Sequence, residues 1–170
     1  EEHVDPKFGV TNIFLDQLGE QVTDLMSKWH QNPRAATVWA KFSKRPPVQY
    51  DRRYLGLFNE GELKADVVKQ ANKKKKCSLI VNLNNPGLMT GHFVSIFFDG
   101  NKCLFADPFG SPCRSSQTLR FIRKIMKTRT NMADETPHLF NLEDQLQNFQ
   151  SSFCGFFCLV FVALFEAGLD

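Results

Sequence analysis

The 170-residue chain lacks the cysteine and histidine spacing of a metal site or a disulfide framework. Its cysteines are odd in number, irregularly spaced and without a CxxC pair: Cys77, Cys103, Cys113, Cys154 and Cys158. The short ligand spacings that zinc requires are also missing from its four histidines: His3, His30, His92 and His138. We therefore predict no metal site and no disulfide scaffold.

Long hydrophobic runs are absent as well. The main apolar stretch, from Phe153 to Phe165, falls well short of the roughly 20 residues that a bilayer-crossing helix needs. The first residues, EEHVDPKFG, are acidic and polar, unlike a signal peptide. These features predict a protein without a membrane segment, in an intracellular setting.

Tryptophan is scarce, with 2 residues against 17 phenylalanines, which predicts a phenylalanine-rich core. With 42% apolar and 23% charged residues, the composition is that of a globular protein. A chain of this length suits one domain and buries about two-thirds of the surface that its unfolded form exposes. We therefore expect a single domain over residues 1–170 that needs no metal or disulfide to fold.

The net charge of +3 is small, but the basic residues cluster. One run is formed by Lys73, Lys74, Lys75 and Lys76. A second cluster is formed by Arg120, Arg123, Lys124, Lys127 and Arg129. Such clusters are typical of solvated faces, and the alternative is a surface for DNA or another polyanion.

Hydrophobic periodicity predicts an α+β domain with a central mixed sheet flanked by helices. Apolar residues at helical spacing predict helices over residues 11–29, 62–72, 115–128 and 154–167. Apolar and β-branched stretches predict strands over 77–83, 92–98, 103–107 and 138–142, with a turn at Asn84–Gly87 after the first. Because the last helix is apolar on all sides, we expect it to be buried all round. The stretch 31–58 shows no regular pattern.

A hairpin is predicted between the strands over 92–98 and 103–107, because Asp99-Gly100 is a strong two-residue turn signal. This turn pairs Phe98 with Asn101. A turn centred on Gly100-Asn101 would shift the register by two residues, but it would leave every side chain on the same face.

The predicted register places His92 directly opposite Asp107, with Cβ atoms about 4.5 to 5.5 Å apart. An imidazole and a carboxylate at that distance can form a hydrogen bond. Such a pair is the base half of a nucleophilic triad. The alternative is a hydrogen-bonded pair on the surface without a catalytic role.

Cys154 lies at the predicted N-terminus of the last helix, where backbone N–H groups favour a thiolate. Gly155 has no side chain and would let a substrate backbone come close, whereas Cys158 is typical of core packing. An oxyanion hole needs an amide donor beside the cysteine. Three side chains just upstream qualify, and chemistry alone does not choose among them: Gln147, Asn148 and Gln150.

Three segments in this order, GHF (91–93), DPFG (107–110) and LQNFQSSFCGFFC (146–158), resemble the adenain family of adenovirus maturation proteases. They also resemble the related proteases of virophages and Polinton-type elements, within the superfamily that processes SUMO and other ubiquitin-like proteins. The resemblance covers roughly residues 77–165. We predict a catalytic core over residues 77–167, which extends to the end of the last predicted helix. Residues 1–76 form an N-terminal helical part without a recognised motif.

The resemblance implies a papain-like or adenain-like fold with Cys154 as nucleophile, His92 as general base and Asp107 as its partner. In adenain the oxyanion glutamine lies seven residues before the cysteine, which selects Gln147 here. The SUMO proteases usually place theirs six before, where this chain has Asn148.

The same resemblance implies substrate contacts at Gly91, Phe93 and Gly155. Phe93 replaces the tryptophan that is common after the histidine, so we expect a smaller aromatic lid over the site. Because no cysteine lies between Cys113 and Cys154, a disulfide-linked peptide activator is not expected at that position.

The implied function is a cysteine endopeptidase that processes capsid or other virion precursor proteins at glycine-containing sites. It implies no required cofactor, activation by DNA through the lysine run or by a peptide, and a monomer. The implied location is the virus factory or nucleus of the host cell, and the virion itself. One alternative is a deconjugating protease for ubiquitin-like proteins, and another is a non-enzymatic, basic nucleic-acid-binding module.

Overall fold

The structure is a computed structural model that describes residues 4–5, 9–10, 12–32, 51–83, 91–133, 136–147 and 153–168. Within these ranges the chain forms a five-stranded mixed sheet, helices on both of its faces, and a separate two-stranded ribbon. The predicted α+β class is therefore confirmed. The turn predicted at Asn84–Gly87 lies outside the described residues.

The strands in these ranges are β1 (Val4–Asp5), β2 (Gly9–Val10), β3 (Tyr54–Asn59), β4 (Lys76–Asn82), β5 (Phe93–Asp99), β6 (Lys102–Ala106) and β7 (His138–Asn141). The α-helices are α1 (Asn12–Gln31), α2 (Ala65–Asn72), α3 (Ser116–Ala133) and α4 (Cys154–Glu166). A 3-10 turn over Glu60–Glu62 precedes α2. All eight predicted helices and strands are present, with ends that differ by a few residues.

The strand order in the sheet is β3-β4-β5-β6-β7. The two outer pairs, β3 with β4 and β6 with β7, are parallel, and the two inner pairs are antiparallel. Strand β3 comes from the stretch in which the sequence shows no regular pattern. Its apolar segment is short, and nearby Pro and Arg residues make it hard to recognise as a strand. The N-terminal part of the chain is therefore not wholly helical, because it supplies one edge of the sheet.

The predicted register of the β5–β6 hairpin is wrong by two residues. The pair that closes the hairpin is Asp99 with Lys102, so Gly100 and Asn101 form the turn. Gly100 has φ of +56°, a conformation that glycine adopts without steric penalty. Asp99 stays in its strand, where it lies opposite Lys76 and pairs with it at 2.9 Å between Oδ2 and Nζ.

The core has two layers, one on each face of the sheet. Helices α2 and α3 cover one face with residues such as Val68, Ile122 and Ile125. Helices α1 and α4 cover the other with residues such as Leu15 and Val162. The predicted phenylalanine-rich core is confirmed by buried rings in both layers: Phe93, Phe97, Phe98, Phe105, Phe121 and Phe165.

Helix α4 is not buried all round, contrary to the expectation from its composition. Val160 is 54% exposed and Leu164 is 44% exposed. The helix packs on α1, β4 and β5, while a groove of about 400 Å³ separates it from β6 and β7. Leu104 and Phe140 line the strand side of this groove. An apolar composition predicts burial of a helix but does not tell how far the neighbouring sheet extends.

Helix α4 is fixed to the sheet near both of its ends. At its C-terminal end, the buried Glu166 carboxylate accepts hydrogen bonds from the backbone amides of Arg53 and Tyr54, where β3 begins. In its first half, Ser95 of β5 donates its hydroxyl to the carbonyl of Cys158 at 3.5 Å. These bonds limit movement of the helix along the sheet.

Arg129 of α3 is buried, although the sequence placed it on a solvated basic face. Its Nη1 donates to the carbonyls of Lys75 and Gly100 at 2.9 and 3.0 Å, and its Nη2 donates to those of Ala71 and Lys74 at 2.8 and 2.7 Å. One guanidinium thus joins the end of α2, the start of β4 and the β5–β6 turn.

We expect Arg129→Ala to lower the free energy of unfolding by about 3 kcal/mol or more, because it removes a buried side chain that donates hydrogen bonds to four backbone carbonyls. Urea denaturation monitored by circular dichroism measures this. The matched control is Arg123→Ala on the exposed face of the same helix, with an expected change within about 0.5 kcal/mol. Equal stabilities of the two variants would contradict the structural role of Arg129.

Candidate active site

The start of β5, the end of β6 and the start of α4 lie close together at one end of the strands. His92 immediately precedes β5, and Asp107 immediately follows β6. Because β5 and β6 are antiparallel, the start of one lies beside the end of the other. Helix α4 packs on β5 and begins at Cys154. The fold therefore brings together the three residues that the sequence proposed as a triad.

The His92–Asp107 contact is formed, with 3.0 Å between Nε2 and Oδ1. The pair is diagonal rather than directly opposed, because the register is shifted, yet both side chains still lie on the same face. Asp107 is buried, and its Oδ1 also accepts a hydrogen bond from the Phe109 amide at 2.8 Å. The carboxylate is therefore held in one orientation toward the imidazole.

The Cys154 sulfur lies against the chain just before and at the start of β5. The Phe93 amide donates to it at 3.5 Å, and the Gly91 carbonyl lies 3.7 Å away as an acceptor for the thiol hydrogen. Cys154 is buried and stands at the N-terminus of α4. Its sulfur is therefore near the positive end of the helix dipole.

The pKa of His92 is raised from 6.5 to about 9. Burial by itself lowers this pKa, but the hydrogen bond with Asp107, the interaction with the Cys154 sulfur and the negative charge of both outweigh it. The imidazole is therefore protonated at neutral pH. A cation beside the sulfur is what a nucleophilic thiolate requires.

The three other buried cysteines have thiol pKa values that burial raises. Burial raises the pKa of Cys77 to about 11, even though Arg129 lies against its sulfur. Burial also raises the pKa of Cys103 and of Cys158. These three thiols remain protonated at neutral pH, and Cys158 is a core residue as the sequence predicted.

Gln147 lies in the loop after β7 and is buried. Its backbone amide donates to the carbonyl of Pro108 at 2.9 Å, which places it on the turn that follows Asp107. The competing candidates Asn148 and Gln150 lie outside the described residues. The choice of Gln147 as the oxyanion donor stays a prediction.

The three predicted substrate contacts have different environments. Gly91 is half-buried beside the Cys154 sulfur, and Gly155 is buried in the first turn of α4. The Phe93 ring is only 1% exposed and packs in the core layer under α4, so it does not form the expected aromatic lid. Strand alternation turns this ring inward, while its backbone amide donates to the sulfur.

Two aromatic residues near the site were not assigned from the sequence. The Phe109 ring stacks on the His92 imidazole, with centroids 4.8 Å apart and planes 17° from parallel. Phe153 is 57% exposed directly before Cys154. Phe109 belongs to the DPFG segment, and no periodicity in the sequence could show which way its ring points.

The lysine run lies at the opposite end of the sheet from His92, because β4 starts where β5 ends. Lys74 pairs with Asp51 at 2.8 Å, and Lys76 pairs with Asp99. Lys73 and Lys75 are exposed. DNA binding by this run stays a prediction, and acidic partners offset part of its charge.

Neither a metal centre nor a membrane-spanning helix is found in the ranges that the structure describes. No group of three or more histidine, cysteine, aspartate or glutamate side chains in them could hold a metal ion. None of the helices in these ranges has the length and apolar character needed to cross a membrane.

No family model and no curated protein matches the chain. Among solved structures, the SUMO protease Ulp1, with its catalytic cysteine oxidized to a sulfinic acid, is 12% identical with a TM-score of 0.46. That match covers 98% of this chain and 77% of Ulp1. The ASFV pS273R protease is 16% identical with a TM-score of 0.46, over 56% of this chain and 36% of the other.

The match to the ASFV protease thus spans only 36% of the length of that protein. Both structures are proteases by name. Because both TM-scores lie below 0.5, no function is assigned to this chain from the likeness. A function has to be argued from the contacts of His92, Asp107 and Cys154.

We expect Asp107→Asn to move the alkaline limb of kcat/KM to lower pH. Because the folded-state pKa of His92 is raised, its charge is complete below about 6.5 and is lost as pH rises through about 9. Asparagine keeps an oxygen for the Phe109 amide but removes the negative charge, so the pKa of His92 falls. The pH profile and an NMR titration of the imidazole measure the shift.

The control for this experiment is Asp99→Asn at the far end of β5, which removes a carboxylate that pairs with Lys76. Its alkaline limb should coincide with that of the wild type. An alkaline limb that stays in place in Asp107→Asn would show that Asp107 does not support the charge on His92.

Proposed function

We propose that the chain is a cysteine endopeptidase in which Cys154 is the nucleophile and His92 is the acid-base group. The observation that supports this most directly is the position of the His92 imidazole. It is held by Asp107 at 3.0 Å and interacts with the Cys154 sulfur, which stands at a helix N-terminus. A core cysteine without a catalytic role would not need a half-buried, charged histidine beside it.

The proposed reaction has two halves. The Cys154 thiolate attacks the carbonyl carbon of the scissile peptide bond and forms a tetrahedral oxyanion. The His92 imidazolium then gives its proton to the leaving nitrogen, the C–N bond breaks, and an acyl-enzyme thioester remains. In the second half, neutral His92 takes a proton from water, the resulting hydroxide attacks the thioester, and the thiolate is released.

Asp107 contributes orientation and charge to this cycle. By accepting from Nε2, it leaves Nδ1 of the ring for the proton transfers at the sulfur side. Its charge stabilises the imidazolium in the resting state and again after water has lost a proton. The Phe109 ring covers one face of the imidazole and restricts its rotation.

The oxyanion of each tetrahedral intermediate needs preorganised donors. We assign the backbone amide of Cys154, which is among the free N–H groups at the start of α4, and the side-chain amide of Gln147. The support for Gln147 is its burial, the bond that fixes its backbone to Pro108, and its spacing from Cys154 in the sequence.

The proposed substrates are capsid or other virion precursor proteins, cut at glycine-containing sites. This part of the proposal rests on the adenain-like segments 91–93, 107–110 and 146–158. Gly91 beside the sulfur and Gly155 next to Cys154 in the chain lack side chains, which fits a cleft that admits a substrate backbone closely. Activation by DNA or a peptide, a monomeric state and a location in the infected cell and the virion belong to the same proposal.

The same triad would also serve a deconjugating protease for ubiquitin-like proteins, and Ulp1 is a SUMO protease by name. The two functions differ in what docks outside the cleft. A substrate panel therefore contains glycine-containing peptides, intact virion precursors and ubiquitin-like proteins with a C-terminal fluorophore. Cleavage of the last group alone would favour the deconjugase.

We expect Cys154→Ala to abolish cleavage of every substrate in this panel, because no other group can form the acyl-enzyme. Cys158→Ala is the matched control, since this thiol lies one turn further along the same helix and is fully buried. It should lose stability, by about 1 to 2 kcal/mol, while its kcat at 25 °C stays near that of the wild type. Fragment patterns on gels and fluorophore release measure both.

A thiol-reactive probe at neutral pH separates the enzyme from a non-enzymatic nucleic-acid-binding module. In the enzyme, Cys154 reacts faster than the other cysteines, and His92→Ala removes this advantage. Cleavage by Cys154→Ala at the wild-type rate, or labelling of Cys154 no faster than Cys113, would refute the proposed function.

We expect Gln147→Ala to lower kcat by roughly 10²- to 10³-fold, the usual effect of losing one oxyanion donor. KM should change little, because the donor acts on the oxyanion and not on the bound substrate. Stopped-flow kinetics of acyl-enzyme formation measures the effect. If Gln150→Ala were the damaging change and Gln147→Ala were silent, the assignment of the donor would be wrong.

A further inference from the structure

The turn that follows β6, residues 107–110, contacts both halves of the proposed site. Asp107 holds His92, and the Phe109 ring lies on the same imidazole. The turn closes on itself, because the Gly110 amide donates to the carbonyl of Asp107 at 2.8 Å. The carbonyl of Pro108 accepts hydrogen bonds from the loop after β7.

The loop over residues 143–147 is docked on that carbonyl. The amides of Leu146 and Gln147 both donate to Pro108, at 3.0 and 2.9 Å. The side-chain amide of Gln145 also donates to the carbonyl of Gln147 at 2.9 Å. The backbone at Gln147 is therefore held on both its amide and its carbonyl side.

Gly110 sits directly under this loop. It has φ of +72°, and a Cβ atom at this position would lie 3.0 Å from three atoms: the Glu143 oxygen, the Asp144 carbon and the Gln145 nitrogen. All three are backbone atoms, so they cannot swing aside as the end of a side chain can. The loop that carries Gln147 can approach the turn this closely because residue 110 has no side chain.

We infer that Gly110 is a positioning residue for the oxyanion donor, acting through the loop 143–147. This inference rests on the proposed function, and in particular on the role of Gln147. A methyl group at residue 110 displaces the loop by a few tenths of an ångström. Hydrogen-bond donors in a catalytic site need placement within about half an ångström, and a shift of a few tenths uses up most of that tolerance, so it weakens the bond to the oxyanion.

The experiment compares Gly110→Ala with Gly100→Ala. Both glycines have positive φ, so alanine strains the backbone at either site. At Gly100, however, no atom lies within 4 Å of the added Cβ. The difference between the two variants therefore isolates the close approach of the loop from the strain of the turn.

We expect Gly110→Ala to lower kcat by roughly tenfold with little change in KM, and Gly100→Ala to stay within about twofold of the wild type. Labelling of Cys154 by a thiol-reactive probe should keep its wild-type rate in both variants, because alkylation needs the thiolate but no oxyanion hole. A purely structural loss would reduce labelling and cleavage together.

A double-mutant cycle tests whether Gly110 acts through Gln147. Once Gln147→Ala has removed the donor, adding Gly110→Ala should lower kcat by less than about twofold more. Two independent losses that multiply would overturn the inference, as would a kcat for Gly110→Ala within twofold of that for Gly100→Ala.

If Gly110→Ala fails to fold, Gln145→Ala decides the question, because Gln145 is exposed and its loss does not threaten the core. Removing its bond to the Gln147 carbonyl should lower kcat by roughly two- to tenfold, and not at all in the Gln147→Ala background. No effect in the wild-type background would overturn the inference. These outcomes leave the proposed function intact, because it is tested separately, by cleavage with Cys154→Ala and by the labelling rate of Cys154 relative to Cys113.

Discussion

The antiparallel pairing of β5 with β6 is the constraint on which the rest of the site depends. It sets the start of one strand beside the end of the other, and therefore His92 beside Asp107. Helix α4 then needs only to dock on β5 for its first residue to reach the imidazole. The bonds of Glu166 at the far end of α4 fix this docking, so the position of Cys154 is determined by contacts along the whole helix.

The proposed catalytic groups come from both regular and irregular segments of the chain. His92 and Asp107 flank strands whose ladders fix their backbones, and Cys154 begins a helix. Gln147 lies in a loop, and its position depends on the turn over residues 107–110. That turn is short and is itself attached to β6. A loop residue can therefore be held as firmly as a strand residue when both its backbone N–H and its backbone C=O form hydrogen bonds, as those of Gln147 do.

The sequence predicts the elements of the sheet and helices well, because their apolar patterns are local. It predicts that His92, Asp107 and Cys154 come together, because motif order and strand alternation survive a register error of two. It misses β3, whose short apolar stretch has no periodicity, and the burial of Arg129, which depends on four carbonyls from distant segments. The inward Phe93 ring and the stack of Phe109 on His92 also depend on packing between elements.

The diagonal relation of His92 to Asp107 has a consequence for how such a site can vary. Side chains alternate along a strand, so the two groups share a face whenever the hairpin register changes by an even number of residues. A change by an odd number would send one group to the opposite face of the sheet. The pairing of β5 with β6 is thus governed by parity: a register shift of two residues keeps His92 and Asp107 on one face, and a shift of one separates them.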